Sequence, residues 1–222
     1  MTDPIKKYYN ETRVDYGINS LRRKKILNLA FKNDLSGKRI LDIGCASGYL
    51  AKELKRQDNF VAGIDISEKF ADQLKKEIDY FLVSDVERDE WPEDFLKNKF
   101  DLIIAAELLE HLFDQDNFLI RLREILKPSG QIIITTPNFL IWNNRIRMLL
   151  GRYGAKEILF DEGHIHLLSY CGLKEKIKKC GFKIIEEDNI WYPNKLEKIK
   201  KFLPPNLFVF QTIIKIKNNY PL

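Results

Sequence analysis

Asp42, Gly44, Cys45, Ala46, Ser47 and Gly48 lie within KRILDIGCASGYLAKEL, an apolar run that ends in an acid and a small-residue loop before a helical pattern begins. A simple turn needs less glycine. Two glycines around three small residues make a main chain that a ligand approaches without an intervening side chain. A dinucleotide site needs G-x-G-x-x-G, but Ala46 and Tyr49 stand where its second and third glycines belong, so a pyrophosphate cradle fits poorly. Two further acids sharpen the choice. Asp65, followed by Ile66 in GIDIS, sits where a carboxylate accepts both ribose hydroxyls. Asp85, followed by Val86 in VSDVE, sits where a carboxylate receives an adenine amino group. Ribose and adenine recognition without a pyrophosphate loop describes S-adenosylmethionine.

Other polar residues suit the partner of such a ligand. His111, after ELLE, is the candidate general base, since imidazole titrates near neutrality; it could equally cap local backbone or pack beneath the ligand loop. His164 and His166 are two apart and share a side in an extended segment. With only Asp161 and Glu162 nearby, zinc is not expected and no metal is assigned; a polar loop lining an acceptor pocket fits better. Asn138, after Pro137, faces the same edge or forms a turn. Tyr8 and Tyr9 either close over the ligand or pack on the first helix, and Cys45 carries no mark of a reactive thiolate, so its side chain is expected to pack.

The elements that must place these residues alternate. Strand-like runs at 39–43, 60–64, 80–83, 100–106 and 131–136 are separated by the helical patterns YLAKELKRQ, EKFADQLKKEI and FLIRLREIL. This predicts a parallel sheet covered on both faces. A helix is predicted through LRRKKILNLAFK, capped by Asn19 or Ser20, and KPSG (127–130) is expected as a turn feeding the fifth strand. Beyond Pro137, FLIWNNRIRMLLGRYG reads as a glycine-ended helix and LKEKIKKC as a helix stopped by Gly181. FKIIEE reads as a strand, and LFVFQTIIKIK as a long last strand, antiparallel and central. No linker divides the chain, so residues 1–222 are expected as one domain: an N-terminal lid and helix (1–35), a ligand-binding core (36–136) and an acceptor side (137–222).

With 45% hydrophobic and 31% charged residues, the 222-residue chain reads as an ordinary globular protein. Three cysteines without a C-x-x-C pair fit a reduced, cytoplasmic setting, and no signal peptide or membrane span is expected. A net charge of +5 comes without a basic stripe interleaved with aromatics, so nucleic acid is not expected as a partner. KLEKIKKFLPPNLF (195–208) is a basic amphipathic piece that could touch an anionic membrane; a solvated helix is the plainer reading.

In ILDIGCASGYL, GIDIS, SDVE, FDLIIAAELLEHL and LKPSGQIIITTPN the chain resembles class I S-adenosylmethionine-dependent methyltransferases across roughly residues 35–140. The resemblance implies a Rossmann-like three-layer α/β sandwich whose seven-stranded, mostly parallel sheet ends in an antiparallel strand. It implies that Gly44, Ala46 and Gly48 line the methionine part of the cofactor, Asp65 holds the ribose, Asp85 and Val86 the adenine, and Ala106 and Glu107 its remaining edge, with Asp42, Cys45 and Ile66 counted among the cofactor-binding residues as well. Ala46 departs from the family's usual glycine, for which at most weakened binding is expected. From PNFLIWNNRIRMLLGR and HIHL the chain also resembles the MetW group and methyltransferases of cell-envelope glycan genes. The implied function is methyl transfer to oxygen or nitrogen of a small molecule, a sugar or glycan precursor by preference, releasing S-adenosylhomocysteine. The alternative is a MetW-like partner subunit of methionine biosynthesis. A monomer or homodimer, with a protein partner possible, is expected.

Overall fold

The computed structural model describes residues 7, 9–11, 20–32, 36–152 and 164–219. Its chain order is α1 (Ser20–Phe31), β1 (Arg39–Ile43), α2 (Tyr49–Lys55), β2 (Phe60–Asp65), α3 (Ala71–Glu77), β3 (Tyr80–Val83), α4 (Glu93–Lys97) and β4 (Phe100–Ala106). After a 3-10 turn at Leu109–His111 come α5 (Gln115–Ile125), β5 (Leu126–Pro137), α6 (Trp142–Leu149), α7 (Tyr170–Lys179), β6 (Phe182–Glu187) and β7 (Ile190–Trp191). A 3-10 segment at Asn194–Phe202, α8 (Pro205–Phe208) and β8 (Val209–Asn218) close the chain.

The strands form one sheet in the order β3-β2-β1-β4-β5-β8-β6. Neighbours from β3 to β5 are parallel, and β8 runs antiparallel between β5 and β6. The last strand is therefore antiparallel and inside the sheet, as expected. An eighth strand, β7, extends the β6 edge along β8. The edge is interrupted at Asp188 and Asn189, where Asn189 Oδ1 accepts the Ile213 amide at 2.8 Å in place of a backbone carbonyl.

Strand period 2 sends alternate residues to opposite faces, and both faces are covered. Leu41, Ala62, Ile103, Ile132 and Ile214 join Phe95, Phe118, Leu122 and Leu173 of α4, α5 and α7 on one side. Ile40, Val61, Ile104, Ile133 and Ile213 join Ile26, Leu50, Leu54 and Leu74 of α1, α2 and α3 on the other. This is the expected three-layer sandwich. KPSG does not precede the fifth strand but lies within it: the register jumps from Phe100↔Leu126 to Leu102↔Gln131, so Lys127–Gly130 bulge opposite Asp101.

The pairings level the carboxyl ends. Ile43 pairs with Ile64 and Ala105, Asp65 with Val83, and Ala106 with Thr135. The residues that follow these strands thus share one edge, where a doubly wound sheet binds ligands.

Candidate active site

The loop after β1 is built from left-handed residues. Gly44, Ala46 and Gly48 have φ of 71°, 47° and 75°. Both glycines also sit close against leucine side chains. A Cβ on Gly48 would lie 2.2 Å from Leu74 Cδ2, and one on Gly44 would lie 3.3 Å from Leu108 Cδ1. The glycine spacing therefore reflects packing as well as ligand access. Ala46 meets the same torsional demand with a side chain, so the departure from glycine is a matter of backbone energy before it is one of cofactor contact.

Asp65 organises this loop. Its Oδ2 accepts the Ala46 amide at 2.8 Å and its Oδ1 the Ser67 amide at 2.9 Å, while the Ile64 carbonyl accepts the amides of Gly44 and Cys45. Carboxylate oxygens are acceptors of the kind that a ribose hydroxyl needs. Asp42 lies behind the loop, 2% exposed, with its carboxyl pushed up to about 7 by burial and by the Asp65 charge, against which the Ala51 amide works. Asp42 thus supports the loop from within the core rather than lining its mouth. Cys45 is likewise turned inward: a Cβ on Gly63 would meet its Sγ at 3.0 Å, so only its main chain faces the edge. Ile66 is half-buried after β2.

Asp85 accepts the Glu87 amide at 3.0 Å and pairs with Arg88 at 3.5 Å. The turn it opens is held from outside by Arg121 of α5, which donates to the carbonyls of Val86 (2.7 Å), Glu87 (3.3 Å) and Asp89 (2.5 Å). Its guanidinium carbon also lies 4.8 Å from the Trp91 ring centre. Arg121 was invisible as a site residue in the sequence because it reads as one cation on a helix.

At the end of β4, Ala106 is half-buried, and the next residue, Glu107, turns left-handed, φ 52°. Glu107 accepts the Thr135 hydroxyl at 2.8 Å and pairs with Arg22 of α1 at 3.0 Å. The next turn buries Glu110 to 1% exposure, and its carboxylate oxygens have no hydrogen-bond partner among the described residues. Burial, then the Glu107 charge, raises the Glu110 carboxyl well above the usual range, and the Arg22 charge opposes this in part. The Glu110 carbonyl accepts the amides of Ile165 (2.9 Å) and His166 (3.1 Å), latching the distant loop onto this turn. His164 is thereby set against His111, ring centres 4.8 Å apart, and one ligand atom each of Glu110, His111 and His164 falls within 4.8 Å of the others.

Tyr9 meets His111 edge-on at 6.1 Å, and Asn10 Oδ1 accepts the Ser67 hydroxyl at 2.8 Å. The N-terminal segment thus reaches from the turn after Asp65 to His111. Tyr8, Asp161 and Glu162 lie outside the described residues. His166 is exposed and its Nε2 lies 3.3 Å from the Phe113 carbonyl, apart from the His111 cluster. Asn138 departs most from its expected position as an acceptor contact. It is 3% exposed, donates to the Val209 carbonyl at 2.7 Å and accepts the Tyr170 amide at 3.0 Å. Its side chain pins β5, β8 and α7 together. Glu110, the acid that sequence reasoning passed over, stands directly before His111; what hid it was the 53-residue gap to His164.

This sheet order, with its loop, acids and carboxyl-edge turns, defines the class I methyltransferase architecture, in which S-adenosylmethionine is the cofactor. The chain belongs to that family: the family described as "Methyltransferase domain" matches residues 16–187. The ubiquinone biosynthesis O-methyltransferase of Bradyrhizobium diazoefficiens is 34% identical over 157 residues, 68% of this chain and 58% of that protein. The chain thus spans little more than half the length of this relative. Among solved structures, Burkholderia thailandensis 1,6-didemethyltoxoflavin-N1-methyltransferase with S-adenosylhomocysteine superposes with a TM-score of 0.65 at 13% identity, covering 96% of this chain and 85% of that one. Magnesium protoporphyrin IX methyltransferase from Synechocystis PCC 6803, also with S-adenosylhomocysteine, gives 0.63 at 16%, covering 96% and 97%. These two likenesses speak for the fold.

Proposed function

We propose that the chain transfers the methyl group of S-adenosylmethionine to an oxygen of a small molecule, with nitrogen as the less favoured acceptor atom. The observation that carries this is the facing of His111 and His164, ring centres 4.8 Å apart, on the sheet edge that also bears Asp65 and Asp85. The residues present fit the cofactor: the main chain at Gly44, Ala46 and Gly48 for the methionine part, Asp65 with Ile66 for ribose, Asp85 with Val86 for adenine, and Ala106 with Glu107 at the remaining edge. When bound, the cofactor supplies a methyl group already activated by a sulfonium. The chain's task is to hold the acceptor atom about 3 Å from that carbon and in line with the sulfur. In this reading His111 accepts the proton that a hydroxyl loses, His164 positions the acceptor, and Tyr9 covers the site. The oxygen preference is supported by the relatives named O-methyltransferase. A sugar or glycan precursor, the narrower reading, rests on the similarity after Pro137 alone.

The test is turnover with labelled cofactor against sugar nucleotides and against dihydroxyphenols, wild type beside His111→Ala. A drop of at least tenfold is expected for the variant. A chain that binds S-adenosylhomocysteine yet methylates neither class would reject both acceptor classes, and co-purification with an acyltransferase of methionine synthesis would favour the MetW-like partner subunit.

The cluster of Glu110, His111 and His164 favours a second reading for the same site. Two imidazoles and a carboxylate are a donor set for a divalent transition metal rather than for magnesium, and such a metal would lower the acceptor hydroxyl's pKa directly and replace the base. Turnover after dialysis against EDTA, with magnesium, manganese or zinc added back, separates the two. Calorimetric titration of wild type and Glu110→Gln with each metal gives a readout independent of activity. Turnover indifferent to EDTA, with no metal binding, leaves the base reading standing.

A further inference from the structure

The net charge of the chain is concentrated in the two stretches that carry Leu149 and Phe202, the most exposed large apolar side chains among the described residues. Residues 142–152 contain Arg145, Arg147 and Arg152 and no acid; residues 194–208 contain four lysines and Glu197. Each stretch contributes three positive charges net, which leaves the other 196 residues at −1 against the chain's +5. Neither α6 nor the 3-10 segment at Asn194–Phe202 buries a single residue. Instead Leu149 is 87% exposed, Phe202 86%, Leu150 62%, Ile199 48% and Ile146 47%.

The two stretches meet. Arg145 donates to the Leu140 carbonyl at 2.7 Å and reaches the Asn206 carbonyl at 3.5 Å, which Asn138 also approaches at 3.4 Å. The one acid, Glu197, is turned to the protein body, where it pairs at 2.6 Å with Lys25, itself 7% exposed. What faces outward is therefore lysine, arginine and large apolar side chains. Both stretches lie at the carboxyl edge of the sheet, α6 following β5 and the other preceding β8, beside the loop that carries His164. Large exposed apolar groups ringed by cations are the signature of a surface that settles at the headgroup boundary of a bilayer.

We propose that α6 and residues 194–208 form one docking face for an anionic lipid surface, reversible and peripheral, that presents the acceptor side to the membrane. Among the described residues no helix is long and apolar enough to cross one. The docking does not depend on the methyl-transfer reading, since it is measured without cofactor.

The experiment is flotation of the full chain with phosphatidylcholine vesicles and with vesicles containing about a third phosphatidylglycerol. Binding to the anionic vesicles only, weakened at high salt, is expected. Each basic residue near such a surface is worth about fivefold in partition. Lys200→Glu with Lys201→Glu should therefore lower it at least tenfold, as should Leu149→Asp with Phe202→Asp. All four side chains are largely exposed, so both variants should melt with the wild type. No binding to anionic vesicles would overturn the proposal. So would a dimer, seen by sedimentation, that the apolar variant dissociates, or nucleic-acid binding that the lysine variant abolishes while the apolar variant leaves vesicle flotation intact.

Discussion

The amide of Ala46 donates to Asp65 Oδ2 at 2.8 Å, so the carboxylate assigned to the ribose also fixes the loop assigned to the methionine part. The hydrogen bond holds Ala46 at φ 47°, a conformation that costs an L-residue about 1 kcal/mol or more. Ala46→Gly should therefore raise stability by about 1 kcal/mol in denaturant unfolding, with S-adenosylhomocysteine affinity equal or better. Lower stability would mean that the alanine methyl packs favourably.

Asp42 gives the fold a pH dependence. Its carboxyl, at 3.8 when unfolded and about 7 when folded, binds a proton more tightly in the native state. The stability that this protonation contributes is complete below about pH 4 and lost as pH rises through about 7. At 1.36 kcal/mol per unit the full difference is about 4 kcal/mol, an upper figure for a pair that includes Asp65. Asp42→Asn should melt near the wild type at pH 5 and above it at pH 8. Equal melting at both pH values would contradict this.

Asn138 separates a structural from an acceptor role. Its buried amide joins three elements, so Asn138→Ala should destabilise by about 2 kcal/mol or more. At a temperature where the variant is fully folded, the KM for the acceptor should be unchanged. A raised KM without lost stability would restore it to the acceptor pocket.

Arg121 tests the adenine side. Lysine cannot span the three carbonyls that its guanidinium reaches. Arg121→Lys should weaken S-adenosylhomocysteine severalfold and leave acceptor KM at saturating cofactor alone. Unchanged cofactor affinity would make the clamp purely structural.

How much of this was legible in the sequence followed from range. Strands β1 to β4, the second half of β5 and the helices α2, α3 and α5 declare themselves by local period, whereas the five-residue α4 does not; the Asp65 and Asp85 positions follow from strand ends. β7 is two residues long and its break is healed by the Asn189 side chain, which no local pattern announces. Glu110 looked like one of two acids in ELLEH, because its burial and its approach to His164 arise only when the Ile165 and His166 amides close on its carbonyl. Asn138 carried a turn signal and an edge position together, and only tertiary contacts with Val209 and Tyr170 decide between them. The glycines of the loop, conversely, promised a ligand while also serving Leu74 and Leu108.

The most direct measurement is calorimetric titration with S-adenosylhomocysteine, wild type beside Asp65→Asn, with thermal unfolding of both as the control for the loop. Loss of the charged acceptor should cost about 1.5–3 kcal/mol, or roughly ten- to a hundredfold in affinity, in a variant that still folds. Failure of the folded wild type to bind, or equal binding by both proteins, would contradict the cofactor site described above.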